Sequence, residues 1–162
     1  MDKDYSDWFA TNAKALERAY LRGASPWERS GVGLHNQRDY EYWRAVRQPI
    51  AECIDRNGSV LDIGCANGFL LESLREWKRE QGIELELFGL DISEKLLREA
   101  RSRLHQSTFY CANVWGWKPP RKFDFVITEL VYVPEEVRQF YLRGLLNEAV
   151  AAGGKLIVTQ YS

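Results

Sequence analysis

The run VLDIGCANGFLLESL, from Val60 to Leu74, constrains this chain more than any other stretch. It opens on apolar residues that do not alternate, the pattern of a strand buried on both faces, and carries Asp62 near the strand's end. A turn of small residues follows, and the apolar positions then take the period of a helix. Gly64, Ala66 and Gly68 remove side-chain bulk where a backbone must pass close to a ligand, and the two glycines can take positive φ without a Cβ clash. The helix start, Asn67 to Phe69, is expected to turn unpaired amides toward whatever lies there. A glycine turn alone proves little, because many strand-to-helix connections use glycine for geometry and bind nothing.

From Ser59 onward the rhythm is strand, helix, strand, helix. Strands are predicted at Val60–Ile63, Leu85–Leu90, Thr108–Cys111, Phe123–Thr128 and Lys155–Gln160. Helices are predicted at Phe69–Arg79, Glu94–Leu104 and Glu135–Val150, with Ser93 and Pro134 near two of the starts. Continuous apolar strands between helices define an α/β fold: a Rossmann-like, doubly wound, mainly parallel sheet in three α/β/α layers. The first part of the chain reads as helical. Tyr5, Trp8, Phe9, Leu16 and Tyr20 share a face that Gly23 ends; Ser25-Pro-Trp-Glu28 resembles a capping box, with Gly31-Val-Gly33 breaking what it begins. Tyr40, Trp43, Val46 and Ile50 mark a further helix that Pro49 is expected to bend or restart. The expected organisation is a helical cap over residues 1–58 and a core over 59–162. At 162 residues and 45% apolar content these make one compact domain.

The second predicted strand ends in Asp91, where an open α/β sheet places an acid for ribose hydroxyls; the competing reading is a plain helix entry before Ser93. With that acid in place, DIGCANG resembles the acid-x-Gly-x-Gly-x-Gly motif of class I S-adenosylmethionine-dependent methyltransferases. Ala66 stands for the middle glycine and is expected to keep an ordinary φ. Asn113 after the third strand, the crossing from Thr128 to Val133 and the Gly153-Gly154 turn extend the likeness from Ser59 to the end. The resemblance implies S-adenosyl-L-methionine as cofactor, held by Asp62, Gly64, Cys65, Ala66, Asn67, Gly68, Asp91, Ile92, Asn113, Val114, Glu129 and Leu130. A nicotinamide dinucleotide fits less well. Its fold asks for G-x-G-x-x-G, and Asp62 would repel a pyrophosphate while suiting an amine and a sulfonium.

The reaction implied is metal-independent methyl transfer to a small-molecule acceptor, in which alignment supplies much of the rate. Candidate catalytic residues are Glu129 at a strand's carboxyl end, Tyr132 in the following loop and His35 in a glycine-containing loop. Glu129 and His35 each have a bland counterpart: a charge leaving the sheet and a solvent-facing histidine. Asn113 could equally be a turn former. His105 reads as a helix-closing cation. Trp8 reads as packing, whereas Trp27 and Trp43 divide between packing and a substrate lid. No NPPY or DPPY sequence follows the fourth strand, so methylation of base amines or glutamine amides is not indicated. The rival functions are a cofactor-binding scaffold without turnover and an RNA or protein methyltransferase.

A net charge of −1 and a pI near 6.2 leave no broad basic field for nucleic acid. Lys118, Arg121 and Lys122 beside Trp115 and Trp117 could bind a single strand but read better as a solvated loop. Three cysteines without metal-type spacing give no zinc site. Cys53 and Cys111 are expected as small buried hydrophobes, and Cys65 to matter through its backbone. With no leader-like apolar run and no membrane span, a cytoplasmic setting is expected. The resembling family usually adds two strands after the fifth. Leu156, Ile157 and Val158 would then form an open apolar edge, a route to a homodimer.

Overall fold

The computed structural model describes residues 4–30 and 39–160. The Gly31-Val-Gly33 break and His35 lie outside the described residues. Five strands form one sheet: β1 (Gly58–Ile63), β2 (Leu85–Asp91), β3 (Thr108–Cys111), β4 (Phe123–Glu129) and β5 (Val150–Thr159). Every pairing is parallel and the order is β3-β2-β1-β4-β5. The chain therefore builds outward from β1 to β3, then returns to lay β4 on the other side of β1. The carboxyl ends of β1 and β4 diverge at this reversal, which is where such sheets hold ligands.

Helices α1 (Ser6–Leu21), α2 (Tyr40–Glu52), α3 (Phe69–Arg79), α4 (Glu94–Arg103) and α5 (Arg138–Glu148) cover both faces. Successive strand residues point to opposite sides, so Val60 joins α2, α3 and α4 in one core through Trp43, Ile50, Leu71, Leu74 and Leu97. Leu61 and Ile63 join the other core, with Phe9 of α1 and Tyr141 and Leu145 of α5. Burying each such Leu or Ile contributes about 1.5–3 kcal/mol.

Helix ends follow their side chains. Asp39 accepts from the Glu41 amide to start α2 at 2.9 Å, and Ser93 Oγ accepts from the Leu96 amide to start α4 at 3.3 Å. The capping box is present: Glu28 Oε2 accepts from the amides of Ala24 and Ser25 at 2.8 Å, and the Glu28 amide donates to Ser25 Oγ at 3.4 Å. The single turn it opens is Glu28–Ser30.

Several expectations need correction. Helix α2 runs through Pro49 without restarting. The last helix does not begin at Glu135: a 3-10 turn at Glu135–Val137 precedes α5. Strand β5 begins at Val150, five residues before the expected Lys155, because the Gly-Gly segment is a bulge within it. Register jumps from Phe123↔Val150 to Phe125↔Lys155, and Gly153 takes φ +73° there. Cys53 and Cys111 are exposed, while Cys65 is the buried thiol.

Candidate functional site

The turn after β1 is left-handed at three points: Gly64 (φ +80°), Ala66 (φ +47°) and Gly68 (φ +75°). Ala66 therefore departs from the ordinary φ expected of it. Asp91 holds it there, its Oδ2 accepting the Ala66 amide at 2.9 Å while Oδ1 accepts the Ser93 amide at 2.8 Å. The glycines serve different ends. A Cβ on Gly68 would press on Ala100 of α4 at 3.1 Å, so that glycine lets two helices approach. A Cβ on Gly64 would run into the Tyr132 ring, so that glycine makes room for the tyrosine.

Two amides at the helix start are already paired within the chain. Gly68 donates to the Cys65 carbonyl and Phe69 to Asn67 Oδ1, while Gly64 and Cys65 both donate to the Leu90 carbonyl. Asn67 is fully buried and ties the turn to the cap through its Nδ2 on the Pro26 carbonyl at 3.0 Å. The Cys65 thiol fills the space that Gly89 leaves open on β2, and burial pushes it upward in pKa.

Two cavities meet above this turn. The first opens beside the carboxyl ends of β2 and β3. Asp91, Ile92, Asn113 and Val114 line it from the strand tips, and Phe9, Leu16, Glu17 and Tyr20 of α1 roof it. Its walls are mostly apolar with a few polar groups, as small-molecule sites are. Glu17 latches the roof, accepting from Ser93 Oγ at 2.6 Å and Lys95 Nζ at 2.9 Å, and Asn12 donates to the Val131 carbonyl at 3.2 Å. The second cavity lies at the β1/β4 reversal, where Arg47, Asp62, Thr128, Glu129 and Thr159 share the lining with apolar residues such as Ile50, Leu70 and Ile127. Tyr20, Ile63, Gly64 and Tyr132 belong to both.

Electrostatics in the second cavity are those of acids taken out of water. Burial, with Glu129 and Asp91 nearby, lifts Asp62 well above the usual carboxylate range, and Arg47 opposes this. Burial raises Glu129 to about 7, again against Arg47. Asp91 is raised by burial and held back by its amide donors. Thr128 Oγ1 shares a buried hydrogen bond of 2.5 Å with Tyr141, which anchors the tip of β4 to α5.

The predicted residues thus divide. Gly64, Asp91, Ile92, Asn113 and Val114 line the first cavity; Asp62, Gly64, Cys65 and Glu129 line the second. Ala66, Asn67, Gly68 and Leu130 line neither. Asn113 also makes the turn weighed against its site role, accepting the Trp115 amide at 3.0 Å. Trp43 is fully buried against Phe69 and Trp77, and Trp27 packs on Tyr40 and Phe69, so neither forms a lid. Trp8 packs edge-on against Phe9. Lys118 pairs with Glu148, and Arg121 pairs with Glu86 while covering Phe88 and Phe123. Sequence reasoning missed Arg47, and it expected a helical cap without naming the α1 residues as cavity lining. Arg47 is 2% exposed, and the signal was its place on the apolar face of α2, four residues from Trp43 and three from Ile50.

Residues 60–154 match the family described as a methyltransferase domain, and the chain belongs to this family of class I S-adenosylmethionine-dependent methyltransferases. Among curated relatives, a trans-aconitate 2-methyltransferase of Afipia carboxidovorans is 36% identical over 102 residues, 61% of this chain and 37% of its own. Its counterpart in Rhodopseudomonas palustris strain HaA2 is 33% identical over 122 residues, 73% of this chain and 44% of its own. The chain spans less than half the length of these relatives. Among solved structures, the DhpI-SAH complex superposes with a TM-score of 0.63 at 20% identity, covering 93% of this chain and 68% of that one. A SAM-dependent methyltransferase from Thiobacillus denitrificans in complex with S-adenosyl-L-homocysteine gives 0.53 at 19% identity, covering 77% and 50%. These likenesses agree with the Rossmann-like fold. Among the described residues, no helix is long and apolar enough to cross a membrane.

Proposed function

We propose that this chain holds S-adenosylmethionine across the two cavities and transfers its methyl group to a small-molecule acceptor by direct in-line displacement. The donor sets suit the two ends of that cofactor. An apolar cleft ending in the Asp91 carboxylate matches a nucleoside with paired hydroxyls; a guanidinium beside two carboxylates matches an amino acid's own carboxylate and ammonium. When bound, the cofactor supplies a methyl carbon on a cationic sulfur that leaves as a neutral thioether, a displacement that asks for no metal.

The chain's residues then have distinct tasks. Asp91 accepts from the ribose, Ile92 and Val114 pack beside the adenine with Asn113, and Arg47 with Asp62 orients the amino-acid end. Glu129, near 7, is suited to take a proton from an acceptor that carries one. Helices α1 and α2 act as the cap, with α1 excluding water from the nucleoside side. The names of the curated relatives make trans-aconitate the first acceptor to assay.

The observation that carries this reading is the pair of acids, Asp62 and Asp91, on neighbouring parallel strands with Gly64 between their cavities. Calorimetric titration with S-adenosylmethionine and S-adenosylhomocysteine tests it. Asp91→Ala is expected to weaken both by about 1.5–3 kcal/mol through loss of a charge-assisted hydrogen bond. Asp91→Asn, which keeps one acceptor oxygen for the turn amides, separates ligand loss from turn loss. Unchanged affinity in a folded variant removes Asp91 from the site.

A further inference from the structure

We infer that Tyr132 is a gate between the nucleoside cavity and the Arg47 cavity, and that the cofactor enters in two stages, the second requiring this ring to swing aside. The inference rests on the proposed reading that one ligand spans both cavities. Both cavities are bounded by Tyr132 and Gly64, which face each other across their junction. The phenol stands directly on the Gly64 backbone: its Cζ and hydroxyl would collide with a Cβ there, and the hydroxyl donates to the Gly64 carbonyl at a long 3.5 Å. A ligand running from Asp91 past Gly64 to Arg47 must occupy that same space. The bare glycine that clears the path is, in this conformation, covered by the tyrosine.

The local backbone suits a gate. Tyr132 ends a single 3-10 turn, Leu130–Tyr132, set between two extended residues, Glu129 (φ −118°, ψ 149°) and Val133 (φ −138°, ψ 152°). The base of that turn is fixed. Val133 is 1% exposed in the core beside α5, the Leu130 carbonyl accepts from Arg138 Nε at 3.2 Å, and the Val131 carbonyl accepts from Asn12. None of those anchors uses the tyrosine side chain, whose packing is against the core cluster of Leu61, Ile63 and Val133, and that packing is what a swing of the ring must give up. Among the described residues, its one polar tie is the weak contact to Gly64, at the outer limit of a hydrogen bond. Adenosine needs only the first cavity and leaves the gate shut; S-adenosylhomocysteine needs it open.

Stopped-flow binding, followed by tryptophan fluorescence on the full chain, compares S-adenosylhomocysteine with adenosine for wild type, Tyr132→Ala, Tyr132→Leu and Tyr132→Phe. If the open state is a minor population, Tyr132→Ala and Tyr132→Leu raise the association rate of S-adenosylhomocysteine by roughly tenfold or more. Adenosine's rate stays at the wild-type value, and Tyr132→Phe behaves as wild type because ring bulk closes the path. The leucine variant keeps apolar packing should the alanine variant unfold. Equal rates for S-adenosylhomocysteine in wild type and the small variants, or equal acceleration of both ligands, overturn the gate and leave the cofactor reading standing. Absence of S-adenosylhomocysteine binding in every protein overturns both.

Discussion

Replacing Glu129 by glutamine tests the electrostatics of the crevice between β1 and β4. The carboxyl is held at about 7 against an ordinary 4.5, with burial as the first cause and Arg47 of α2 pulling the other way. Asp62 and Tyr132 face the same space, and the Glu129 charge raises both further. An unfolded chain releases this proton near 4.5, whereas the folded chain keeps it until about 7. Between those values the native state binds more protons, so stability is greatest below the window and falls as pH rises through it. The interval corresponds to about 3 kcal/mol at roughly 1.4 kcal/mol per pH unit. Urea unfolding of wild type and Glu129→Gln between pH 4.5 and 8 reads the effect as a difference, which cancels other titrating groups. Wild type is expected to lose about 3 kcal/mol relative to the variant across that range. Relief of Asp62 in the variant adds in the same direction. Two curves that stay parallel within about 0.5 kcal/mol would refute the claim that burial governs this acid.

Two further substitutions probe how the site is built. Gly64→Ala places a methyl against the Tyr132 ring at a residue with φ +80°, so denaturant unfolding should show a loss of about 1–3 kcal/mol, with Tyr132→Ala recovering the steric part; a loss under about 0.5 kcal/mol contradicts this. Thr128→Val leaves the Tyr141 hydroxyl buried without its partner and should cost about 1–3 kcal/mol in the same assay, an effect that Tyr141→Phe in the double variant should largely cancel.

The sheet was legible because its inner strands β1 and β4 and most of β2 are buried on both faces, and Val60–Ile63 and Leu85–Leu90 announce themselves as largely apolar runs. The start of β5 was not. Ala151 to Gly154 carry the composition of a turn, and only the pairing with Phe123 and Phe125 reveals a bulge inside a longer strand. The 3-10 turn before α5 was hidden for a similar reason, since Pro134 followed by two glutamates reads the same before either kind of helix. Within the site, the acids and Gly64 were visible as a motif. The positive φ of Ala66 was not, because it follows from Asp91 reaching across from the next strand to grasp its amide. Arg47 was passed over because arginine is normally read as the solvated side of a helix. Its tertiary setting, beneath the β1/β4 crevice, overrides that prior.

The strand order has a consequence for how the molecule comes into being. As the chain leaves the ribosome, β1, β2 and β3 can zip together first, whereas β4 and β5 emerge only after the segment ending near residue 122. At roughly 5–20 residues per second, β1 waits several seconds with one edge bare. The crevice lined by Arg47, Asp62 and Glu129 lies on that seam between the early and late halves, so it cannot form until β4 has paired with β1. Molecules that close the seam from both sides would favour the finished form over a half-assembled one, and ligand supply during synthesis becomes a lever on yield.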